Sequence, residues 1–79
     1  MTKTKKPRPY FSLLTRESDG KWYPQFGDYE RSVVADELRD SYLGPVGMGY
    51  RRADTQIVRT ATDLKADLDA VLTRLNGEA

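Results

Sequence analysis

The sequence contains neither cysteine nor histidine. Without cysteine, no disulfide or thiolate-held metal can supplement a core, which accords with a reducing compartment. Without histidine, the commonest general base near neutral pH and the commonest metal ligand are missing. Ordinary zinc sites and Cys–His nucleophilic systems are thereby excluded. Long apolar runs are absent too: the hydrophobic stretches are a few residues long, against roughly 18–20 for a membrane-spanning helix. The N-terminus, Met1 to Pro9, is basic but is not followed by the apolar core of a secretory leader. The expectation is a cytoplasmic protein with no membrane contact, no metal and no cofactor.

Net charge is also small, +1 over 79 residues, but unevenly spread. Lys3, Lys5, Lys6 and Arg8 place four positive charges in the first eight residues, leaving −3 for the rest. A flexible basic tail over 1–9 and a single domain over 10–79 are expected. A chain this short buries only about 60% of its unfolded surface, so it has room for one core and little room for a substrate pocket. Catalysis is not expected.

The residues that are present suggest short alternating elements. Tyr10 to Arg16 is rich in strand formers, Asp19-Gly20 supplies a turn, and Lys21 to Phe26 resumes the extended pattern. Pro24 cannot donate to a ladder, so the second strand should be an edge or bulge there. Asp28 is placed to cap a helix in which Arg31, Val34, Ala35, Leu38 and Tyr42 share one side. Three glycines and Pro45 then break the helix. A third strand is centred on Thr55 to Arg59. Thr60 or Thr62 caps a second helix, with Asp63 in its first turn and Leu64, Leu68, Val71, Leu72 and Leu75 in helical register. Asn76-Gly77 is its stop. The expected fold is α+β, in the order β-β-α-β-α, with a small, mainly antiparallel three-stranded sheet and two helices on one face.

Three surfaces are candidates for binding. Glu30, Asp36, Glu37 and Asp40 lie opposite the apolar stripe of the first helix, with Asp28 at its start, and charge runs of this kind are usually solvated faces. Functionally, such a row can offer negative charge to a basic groove that normally holds nucleic acid. Arg51, Arg52 and Arg59, joined by the tail, form an alternative basic site, since guanidinium groups match phosphate. Direct nucleic-acid binding ranks below protein binding, because the body without its tail is acidic and the aromatics are needed for packing. Val46 and Met48 in the glycine-rich loop, with the hairpin aromatics, form an apolar third; Trp22 and Phe26 are expected in the core. Gly44, Gly47 and Gly49 lack the context of a phosphate-binding loop and read as a loop of small residues. A monomer or weak dimer is expected, since an uncovered strand edge can pair with another copy.

The segment Trp22-Tyr23-Pro24-Gln25-Phe26-Gly27-Asp28-Tyr29-Glu30 followed by a charged helix resembles small uncharacterised proteins of proteobacterial phages and prophages. The stretch Tyr50 to Thr60 and the leucine-patterned C-terminal helix share that resemblance. It carries no motif with chemistry in it. Many small phage proteins without catalytic residues are inhibitors of host defence, anti-CRISPR proteins among them, so the resemblance implies by analogy a protein that binds a host nucleoprotein complex. A CRISPR effector is the partner expected on this ground, with a small nucleic-acid-binding or regulatory protein as the alternative.

Overall fold

The computed structural model describes residues 8–77. The tail positions Lys3, Lys5 and Lys6 lie outside them. Strand β1 (Tyr10–Arg16) is central and pairs antiparallel with both β2 (Trp22–Asp28) and β3 (Thr55–Thr60). Helix α1 (Arg31–Glu37) follows β2 and continues as a wider π turn over Leu38–Tyr42. A short 3-10 turn (Arg52–Asp54) precedes β3, and α2 (Lys65–Gly77) ends the fold. Class, strand number and β-β-α-β-α order are those the sequence implies.

The hairpin is built by the expected local chemistry. Gly20 adopts φ +82°, a left-handed conformation that glycine takes without strain. The Asp19 carboxylate accepts the Lys21 N–H and the Tyr23 hydroxyl. Pro24 sits on an edge strand beside an irregularity: Leu13 pairs with Phe26 and Leu14 with Pro24, so Gln25 is the extra residue of a bulge. Its side-chain amide donates to the Thr15 hydroxyl.

Alternation along β1 sends Phe11 and Leu13 to one face and Tyr10, Ser12 and Leu14 to the other. On the first face Leu13, Val34, Leu38 and Tyr42 form the buried core, with Phe11, Phe26 and Ile57 packed against it. Leu14 is also fully buried but stands apart from that cluster, on the second face. There Leu68 of α2 lines a depression together with Tyr10, Ser12 and Gly27. The expectation of two helices on one face is thus corrected: α1 and α2 cover opposite faces. The physical reason is β1 itself, a central strand with apolar side chains pointing both ways. Trp22 is also corrected: it stays out of the core, and the Arg16 guanidinium lies 5.4 Å from its ring.

Two helix starts also differ from expectation. Asp28 is the last residue of β2 rather than the cap; Glu30 holds the cap position without a side-chain bond, and Asp28, two residues earlier, accepts the Glu30 N–H. Asp63 precedes α2 and accepts the Tyr29 hydroxyl, leaving Asp67 as the acid of the first turn. Leu64 holds the cap position, its carbonyl accepting the Asp67 and Leu68 N–H groups; Thr62, the expected cap, stands two residues earlier, accepting the Leu64 N–H and donating to the Asp67 carboxylate.

The loop after α1 is closely fitted. Tyr50 N–H bonds the Tyr42 carbonyl, and Gly44 N–H bonds the Tyr50 carbonyl. At Gly47 any Cβ would stand 2.6 Å from the Ser41 and Tyr42 backbone, so this glycine is required by a close approach of main chain to main chain.

Candidate functional site

The acidic residues expected along α1 divide into two groups. Asp36 and Asp40 are exposed near the C-terminal end of the helix, and both bond Arg39, at 3.0 and 3.3 Å. The same two carboxylates push the Arg39 guanidinium pKa up, the hydrogen bond that Arg39 donates to Asp36 being the first cause. Glu30 is exposed at the other end of the helix, Glu37 is half-buried between, and Asp28 belongs to the strand. The row is therefore a net acidic surface with an arginine set into it. Near its N-terminal end, Tyr29 reaches Asp63, so that acid joins the same neighbourhood from the far side of the sequence. No spacing rule links positions 29 and 63, which is why the sequence does not show this.

The alternative basic site does not assemble as a unit. Asp54 binds Arg16 at 2.8 Å and Arg51 at 3.2 Å, so Arg51 is engaged in holding the turn before β3. These cations hold the Asp54 carboxyl below its usual range, with Arg16 as the main cause. Arg52 and Arg59 are exposed at opposite ends of β3. Arg8, the one tail cation within the described residues, stacks over the Tyr29 ring at 4.9 Å.

Sequence reasoning missed two features. The first is a polar cluster at the hairpin end of the α1 face: the Glu17 carboxylate accepts the Thr15 and Tyr50 hydroxyls at 2.6 and 2.7 Å. The bond to Glu17 raises the Tyr50 pKa, because the carboxylate favours the protonated phenol. The cluster ties the loop after α1 to the end of β1 and is structural. The second is a groove of about 360 Å³ between α1 and β3. Ala35, Leu38, Leu43 and Ile57 line it together with the polar Thr55, Gln56 and Arg39, and Arg31 and Arg52 stand exposed at its margin.

Exposed apolar side chains lie elsewhere. Val46 and Met48 project from the loop after α1, 84% and 70% exposed, as expected of the third surface. Comparison with known proteins finds no matching family model, no matching curated protein and no matching solved structure.

Proposed function

We propose that this chain is a non-catalytic inhibitor of the phage-encoded kind. It binds a host nucleoprotein complex, most concretely a type I CRISPR surveillance complex, and keeps it from target DNA. The supporting observation is the placement of the α1 acids: Glu30, Asp36 and Asp40 stand exposed, away from buried Val34 and Leu38. Among the described residues, Arg39 is the arginine bonded to Asp36 and Asp40. With Glu37 and Asp28 the surface keeps a net negative charge after that pairing. A basic groove shaped for phosphates attracts such a surface, and the attraction weakens with salt.

The alternative, a small nucleic-acid-binding or regulatory protein using Arg51, Arg52 and Arg59, has less support. Arg51 is already committed to Asp54, and the other two are separated by the length of β3.

The test is capture of a purified type I effector complex by the tagged protein, with and without nuclease, followed by a charge-removed variant. Capture that survives nuclease is expected. Replacing Glu30, Asp36, Glu37 and Asp40 by Gln or Asn should weaken it by at least about tenfold and flatten its salt dependence. Equal inhibition by the variant at the same salt would sink the acidic-surface mechanism. If only nucleic acid is captured, the inhibitor reading falls and the arginines become the site.

A further inference from the structure

The two edges of the sheet are not alike. Glu17 N–H bonds the Lys21 carbonyl, which fixes the alternation of hydrogen bonding along the hairpin. Trp22 therefore turns its N–H and C=O away from β1, and both are taken by the Asn76 side-chain amide, at 2.7 and 3.0 Å. Pro24, the next outward position, has no N–H. On the β2 side the edge is thus closed over its first half. By the same alternation Tyr10, Ser12 and Leu14 bond to Thr60, Val58 and Gln56, so Ile57 and Arg59 turn their N–H and C=O outward from β3. Neither has a backbone partner beyond the sheet among the described residues. Thr55 N–H is satisfied by the Arg52 carbonyl.

This open stretch borders the α1–β3 groove. Helix α1 packs over β1 and β2, and the space beside it, above β3, is the groove. Its lining is mixed, apolar at Ala35, Leu38, Leu43 and Ile57 and polar at Thr55 and Gln56. Arg31 and Arg52 at its margin are exposed and form no ion pair among the described residues, unlike Arg39, Arg51 and Arg16. At about 360 Å³ it is near the small end of ligand pockets, suited to one or two side chains rather than to a cofactor.

We propose that this groove binds an extended peptide segment carrying an apolar residue flanked by acidic ones, added as a further strand along β3. The backbone of the peptide pairs with Ile57 and Arg59. Its alternate side chains turn toward α1, the apolar one entering the groove and the acidic ones meeting Arg31 and Arg52. A second copy of β3 is a poorer occupant, because Thr55-Gln56-Ile57-Val58-Arg59-Thr60 offers no carboxylate and adds another arginine. Nucleic acid would meet the arginines but not the apolar lining or the alternating backbone donors and acceptors. The proposal concerns a different surface from the α1 acids and stands or falls independently of them.

The test uses the full chain, isotope-labelled, titrated with a pool of ten-residue peptides in which Asp or Glu alternates with Leu, Ile, Val, Phe or Met. A matched pool with Lys and Arg in place of the acids and a single-stranded DNA oligonucleotide serve as comparators. Binding of the acidic pool should shift the Ile57 and Arg59 amides and slow their hydrogen exchange. Arg59→Pro removes an outward N–H without touching the β1 ladder, and should weaken binding at least about tenfold, as should Arg31→Glu with Arg52→Glu. Should a variant fail to fold, the exchange of the two amides in the unaltered chain decides. The proposal is overturned by equal binding of the basic pool, by a response to DNA alone, by self-association that blocks the peptide, or by no change at Ile57 and Arg59.

Discussion

Helices α1 and α2 each lay an apolar stripe toward the sheet, yet they end in different states. Val34, Leu38 and Tyr42 of the α1 segment are buried, while α2 has no buried residue. Leu64 is 62% exposed and Leu75 36%. The difference follows from what each helix has to lie on. Phe11, Leu13, Phe26 and Ile57 give α1 a surface drawn from all three strands. α2 runs beside β2, an edge strand carrying Pro24 and Gly27, and docks at its far end through the Asn76 amide. Periodicity states that a stripe is apolar; the area available beneath it decides how far it is buried.

The contrast can be broken most forcefully in the α1 layer. Leu13→Ala empties a fully buried site and should cost about 2–5 kcal/mol in urea unfolding. That is a large share of the stability of so small a domain. Leu64→Ala, at the exposed residue just before α2, should cost less than about 0.5 kcal/mol. Similar losses from the two would mean that α2 is as firmly seated as α1. Of intermediate size is Asn76→Ala, which removes two bonds to Trp22 and should cost about 1–2 kcal/mol. Its signature is faster amide exchange in α2 with the exchange of β1 unchanged.

The smallest effect concerns pH. Asp54 has its folded-state pKa lowered by Arg16 and Arg51, so its contribution is present above the ordinary aspartate pKa and is lost as pH falls through the folded value. Melting temperatures followed from about pH 5 down to about pH 2 should show a smaller acid-induced drop in Asp54→Asn than in the parent protein. An unchanged drop would place the acid sensitivity elsewhere.

Much of the fold is legible residue by residue. Asp19-Gly20 marks the hairpin, Pro24 marks the bulged edge, and Thr55 to Arg59 marks β3. The placement of α2 was legible too, in a signal that alternation alone hides: Leu13 and Leu14 are adjacent and apolar, and adjacent residues of a strand face opposite ways. The Arg39 pairing was within reach, since Asp36 stands three positions before it on a helix. The long-range side-chain contacts were not legible, those of Tyr29 with Asp63 and Tyr50 with Glu17 among them. Arg16 meets Asp54 across 38 positions, and Asn76 meets Trp22 across 54. The groove was hidden for a related reason. It comes from where α1 comes to rest across the sheet, which no local pattern encodes.

The bond between Asn76 and Trp22 also bears on stoichiometry. A sheet with two free edges can pass strands from molecule to molecule without limit, which is the geometry of a fibre. Here the carboxamide of one side chain imitates a neighbouring peptide unit at Trp22 and occupies that end of one edge. A strand added at β3 would leave the partner facing a β2 edge whose Trp22–Pro24 half is already closed, which works against growth in that direction.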